Sequence, residues 1–99
     1  MLRLLTFVLA AALMLPGAAL AQECIGTVAG LSRVYDPSTG SGFLAVRAGP
    51  MPSATQLGEL FNGDRVSIFD RQGNWYRVYA PGIGEAWASS RWIRNSCGY

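Results

Sequence analysis

The chain has 99 residues, 51% of them hydrophobic, with 8 basic residues (every one Arg), 6 acidic residues, no His and a net charge of +2. That balance provides no basic field for nucleic acid or for an anionic membrane surface. Without His, neutral-pH proton transfer and zinc binding both lose their usual side chain, so no cofactor or metal is expected.

Residues 1–21 have the three-part layout of a secretory signal peptide. Arg3 supplies the positive charge, and 4–15 is apolar apart from Thr6. Pro16-Gly17 then breaks the run, and Ala19 and Ala21 set small residues at −3 and −1 before Gln22. The apolar stretch is too short to span a bilayer as a mature helix. A retained membrane anchor is the competing reading. A lipoprotein fits less well, since Ala21-Gln22-Glu23 is not the run of small residues that lipoprotein processing needs before its cysteine. The expected product is periplasmic or secreted and free of the membrane. Its 78 residues from Gln22 carry seven Arg against six acids.

A single domain of that size has a marginal core, and a covalent link would help it. Cys24 and Cys97 are the only cysteines, one near each end of the mature chain. In an oxidising compartment such a pair reads as a disulfide, contributing about 4 kcal/mol on the chain-entropy model. A reactive thiol or a metal site is the alternative, but a metal would need further Cys or His.

No segment after the leader has a helical period. Short strand-like runs separated by turn signals point instead to a small all-β barrel or sandwich. The first candidate strand is 25–31. Arg33-Val34-Tyr35 follows and runs into 36–42, a flexible loop by composition. Residues 43–47 form the next strand, with Leu44 and Val46 on one face, and Pro50 and Pro52 stop it. The piece 56–61 ends in Asn62-Gly63, whose pairing predicts a tight hairpin with positive φ. Residues 65–70 alternate, Val66 and Ile68 inward and Ser67 and Phe69 outward. After a turn at 71–74 comes the aromatic, β-branched run 75–79. A turn at 81–84 leads into 85–88, and 89–91 predicts one tight helical turn before Trp92-Ile93. The count is five or six strands, with 22–42 as an N-terminal strand and loop and 43–99 as the barrel and tail.

The order of signals resembles a bacterial SH3-like domain. Leu44-x-Val46-Arg47-x-Gly49-Pro50 comes first, then Gly58-x-Leu60 and Asn62-Gly63-Asp64-x-Val66-x-Ile68. Gly73-x-Trp75-Tyr76-x-Val78 and Trp87-Ala88-Ser89-Ser90-x-Trp92-Ile93 follow. The resemblance covers 43–93 and departs from the family at Ala86, where Gly is usual. It implies an SH3-like barrel whose core holds Leu44, Val46, Leu60, Val66, Ile68, Val78 and Trp87. Arg47, near the barrel edge, is implied to be a structural hydrogen-bond donor rather than a substrate clamp.

The chemistry inventory argues against an enzyme. The carboxylates Glu23, Asp36, Glu59, Asp64, Asp70 and Glu85 are scattered, the serines have no candidate base, and Gly40-Ser41-Gly42 lacks the Lys and helix of a phosphate loop. Ten aromatics after the leader exceed what so small a barrel buries. Tyr35, Phe43, Phe69, Tyr76, Tyr79 and Tyr99 are expected to stay partly exposed, and aromatics beside Arg dominate binding hot spots. The family resemblance implies a binding module that holds a cell-wall peptide or an exported protein partner in a shallow groove. A structural or regulatory accessory protein without glycan affinity is the other reading. The expected groove runs between 51–55 and 71–76, with Tyr76 and Trp92 in it, Arg71 at the rim and Asp70 opposite. Tyr35 and Asp36 extend it if the 36–42 loop folds over. The long loop lacks the paired tyrosines of eukaryotic proline-rich peptide binders, so such ligands are not expected.

Overall fold

The computed structural model describes residues 23–99; the leader expected over 1–21 lies outside the described residues. Alternation of buried and exposed positions organises the chain into seven strands: β1 (Cys24–Val28), β2 (Leu44–Arg47), β3 (Gln56–Leu60), β4 (Arg65–Gln72), β5 (Trp75–Ala80), β6 (Gly84–Ser89) and β7 (Ile93–Arg94). The expected helical turn is present as a 3-10 segment, Ser90–Trp92. The strands make one antiparallel sheet in the order β3-β2-β6-β5-β4-β1-β7. The all-β fold holds, with one more strand than expected because β7 is only two residues long and carries no readable period. Register shifts at Val46/Arg47 and at Ile68/Asp70 bend β2 and β4, as bulges do. The edge strands β3 and β7 do not pair with each other, so hydrogen bonds do not close the wall.

Val28, Val46, Val66 and Val78 are the largest almost wholly buried side chains, joined inside by Leu44, Leu60, Ile68 and Ile93. Two expectations are corrected here. Trp87 is not in the core. Ala86 and Ala88 face inward on β6, and Trp87 between them points out and is half-buried. The methyl groups of Ala86 and Ala88 are buried on the inner face, Ala86 opposite Val78. Tyr76, expected to be partly exposed, is 4% exposed. It shares the inward face of β5 with Val78 and Ala80, two and four residues on.

The chain ends are joined as expected. Cys24 and Cys97 form a disulfide with a Cα–Cα distance of 5.8 Å. Gly26 lets β1 pass close to its neighbours, since a Cβ there would meet Ile93 Cγ2 at 2.5 Å and Ile68 Cδ1 at 2.8 Å.

Asn62-Gly63 does not close a hairpin. It turns the chain from β3, at the sheet edge, to β4, which pairs with β5 and β1. Only Gly63 has positive φ. Asn62 is used differently: its Oδ1 accepts from the Leu31 amide at 3.0 Å and its Nδ2 donates to the Leu31 carbonyl at 3.1 Å.

Candidate functional site: an aromatic groove

Because Tyr76, Ala86, Ala88, Leu44 and Val46 point into the core, the alternate residues of β5, β6 and β2 must share the outer face. Register places Trp75 opposite Ser89, Arg77 opposite Trp87, and Arg47 opposite both Trp87 and Gln56. One end of this floor opens into a groove of about 370 Å³. Phe43, Arg47, Trp75 and Trp92 line it, with Pro37 and Pro52 contributed by two flanking loops.

Local hydrogen bonds shape both loops. The 36–42 segment is a hydrogen-bonded turn rather than a loose linker: Asp36 and Ser41 exchange backbone bonds at 2.9 and 3.1 Å. The Ser38 hydroxyl and amide donate to Asp36 Oδ1 at 2.6 and 3.0 Å. Those bonds favour the charged form and hold the Asp36 carboxyl below its usual range, the Ser38 hydroxyl having the larger effect. Across the groove, Arg47 Nη1 donates to the Ala54 carbonyl at 3.1 Å, and the Ala48 amide donates to the Thr55 carbonyl at 2.8 Å. Arg47 is thus the structural donor expected of it, and its guanidinium also lines the groove.

Trp92 reaches the groove through the 3-10 turn. Ser89 Oγ caps that turn by accepting from the Arg91 amide, and the Ser90 amide donates to the Asn74 carbonyl at 2.8 Å. The Arg91 guanidinium lies over the Trp92 ring, 4.9 Å from its centroid, a cation–π arrangement.

Of the residues expected in the site, Trp92 lies in the groove and four others, Tyr76, Arg71, Tyr35 and Asp70, lie elsewhere. Tyr76 is interior: its hydroxyl donates to the Tyr99 carbonyl at 2.9 Å and accepts from Asn95 Nδ2 at 3.2 Å. Arg71 covers the Tyr76 ring at 5.5 Å and donates from Nε to the Gly73 carbonyl at 2.7 Å. Both belong to the side of the sheet that meets the C-terminal tail. Tyr35 packs against Phe43 at 5.6 Å and Phe61 at 6.0 Å, and its hydroxyl donates to Glu59 Oε1 at 2.9 Å. That bond to a carboxylate raises the phenol above its usual range. Tyr35 therefore supports the groove from behind Phe43. Asp70 accepts from the Arg71 amide at 2.8 Å, away from the groove. Trp75 occupies the place expected for Tyr76. Counting back by twos and one from the inward Val78 would have set Trp75 outward.

The groove contains aromatic surface and one guanidinium, but no nucleophile with a base beside it. Both cysteines are bonded to each other. Among the described residues, no group of three or more His, Cys, Asp or Glu is placed to hold a metal ion, and no helix is long and apolar enough to cross a membrane.

The model of the bacterial SH3 domain family matches residues 42–94, from the entry to β2 through the end of β7. The chain belongs to the bacterial SH3 domain family. The match takes in β2 to β7, Arg47 and all three tryptophans, while β1, the cysteines and most of the 36–42 turn lie outside it. In this SH3 domain the groove wall formed by Pro37 is thus an addition from the flanking N-terminal segment. No curated protein and no solved structure matches the chain.

Proposed function

We propose that this SH3 domain is an exported, non-catalytic binding module of the cell envelope that holds an extended peptide segment across the groove of Phe43, Trp75 and Trp92. The observation that carries the reading is the position of the tryptophans. None of the three is in the core, and Trp75 and Trp92 meet at one groove. Large aromatic surface left half-buried outside a core is the kind of surface that anchors partners. The leader-like residues 1–21 support export, and the Cys24–Cys97 disulfide suits an oxidising compartment. A non-catalytic role is supported by the carboxylates, each of which is engaged separately.

The segment has two possible sources, a cell-wall stem peptide or an exported protein, and both present an extended backbone with side chains on alternate faces. Purified sacculi separate them: retention of the mature protein identifies the wall, and flow-through identifies a protein partner. Trp75→Ala and Trp92→Ala should each weaken capture at least tenfold, roughly the loss from removing one hot-spot side chain, with an unchanged far-ultraviolet spectrum. If both variants hold the confirmed partner as tightly as the parent, the groove is not the site.

A further inference from the structure

Each of the six carboxylates has a partner, and none of them lines the groove. Glu23 accepts from Ser67 at 2.7 Å, Asp36 from Ser38, Glu59 from Tyr35, Asp64 from the Phe61 amide at 2.8 Å, and Asp70 from the Arg71 amide. Glu85 pairs with Arg77, the one ion pair among the described residues. The other five carboxylates accept from neutral donors and keep their charge, but none is within ion-pair reach of the Arg47 guanidinium, which is half-buried in the groove. A guanidinium has five N–H donors, and the bond to the Ala54 carbonyl is the one side-chain bond Arg47 makes among the described residues. Arg91 does not line the groove, but it lies over the ring of the lining residue Trp92 and adds a second positive charge beside it.

We infer that the groove selects an acidic segment: an Asp or Glu side chain within an extended polypeptide, placed on Arg47, with apolar neighbours on Phe43, Trp75 and Trp92. The inference rests on the groove being the binding site. A carboxylate there would accept charge-assisted bonds from a fork already fixed in place, between aromatic walls that reduce competition from water. A basic segment would meet the Arg47 guanidinium in the groove and the Arg91 guanidinium beside it, with no carboxylate in the lining. The position of Arg47 also favours a side chain over a chain end. In the sheet order, Gln56 on β3 lies to one side of Arg47, and Ser89 on β6 and Trp75 on β5 lie to the other. A chain crossing the groove has lining to follow in both directions past Arg47.

The test uses the oxidised protein and its own tryptophan fluorescence, since Trp75 and Trp92 line the groove and Trp87 lies on the same outer face. The probes are acetyl- and amide-capped hexapeptides of alternating Leu and Ala, carrying Glu, Gln or Lys at the third position. A fourth probe is the Gln peptide with a free C-terminal carboxylate. The Glu peptide should bind about tenfold more tightly than the Gln peptide, with Lys weakest, and the preference should shrink as salt rises. Gln56→Glu places a carboxylate beside Arg47 at an exposed position and should remove the preference; Arg91→Glu should reduce it. Equal binding of the Glu and Gln peptides, or a preference for Lys, overturns the acidic assignment while leaving the groove reading intact. Equal binding of the Glu peptide and the free-terminus peptide overturns the side-chain form. A preference unchanged in both variants removes Arg47 from the account. If no peptide perturbs the fluorescence, both the assignment and the groove reading fail.

Discussion

The hydroxyl of Tyr76 must find partners once its ring is buried, and it finds them in the Tyr99 carbonyl and the Asn95 amide. Tyr76→Phe keeps the ring and loses both bonds. It should cost about 1 kcal/mol in urea unfolding and loosen the last residues of the chain. Placing Tyr76 inside required trusting alternation over residue type. Val78 was assignable to the interior from the sequence, and Tyr76 lies two residues before it. The same conflict recurs at Trp87, where hydrophobicity argued for the core and the flanking alanines decided against it. Asp36 makes a pH-dependent prediction. Its carboxyl is held low by the Ser38 hydroxyl, so the bonds of the turn are fully present above the usual Asp range and are lost as pH falls through the lowered value. Carbon-13 titration should find Asp36 below an ordinary Asp, and Ser38→Ala should move it back upward. An Asp36 that titrates normally in the parent would show the turn to be open in solution.

Strands β2, β4, β5 and β6 were readable because each places apolar residues at every second position against a polar or aromatic outer row. The connections were less so, because their roles depend on what lies across the fold. Asn62-Gly63 carries the strongest local hairpin signal, yet the strands on either side of it are not neighbours in the sheet. What fixes this corner is the reach of Asn62 to Leu31, 31 positions away. Asn62→Ala should therefore cost about 1 kcal/mol in chemical denaturation through two lost bonds, with the β3–β4 turn itself retained through the Asp64 amide and carboxylate. Asn62→Asp can still accept from the Leu31 amide but cannot donate, and should fall between Ala and the parent. The groove was partly foreseeable for a similar reason. Trp92 and the 3-10 turn follow from local sequence, but the floor depends on the long-range pairing of Arg47 with Trp87 between β2 and β6. The loop 36–42, which reads as loose from its Ser and Gly content, is ordered by the spacing of Asp36, Ser38 and Ser41.

Across the domain, the order of strands separates two halves of the sheet. β3, β2, β6 and β5 carry the groove, while β4, β1 and β7 lead to the disulfide. The core is small, with valine and alanine making up seven of its thirteen buried residues, so the cross-link over 73 positions has weight. Reduction should lower stability by about 4 kcal/mol on the chain-entropy model, and the unfolded, unreduced protein should show no free thiol on titration. Two thiols per chain would remove the link from the account. Because β1 and the tail lie away from the groove, peptide binding measured on the reduced but still folded fraction should match that of the oxidised protein.

The bond between Cys24 and Cys97 also makes the folded chain a ring. A single cut by a protease in an exposed connection, such as Pro81-Gly82, opens that ring into a longer linear path instead of dividing it. Both pieces stay in one particle until a reductant is added, and the sheet keeps every strand in the meantime. Wherever the protein meets a protease, the first cut would change the order in which the strands follow one another along the covalent path before it released any part of the protein.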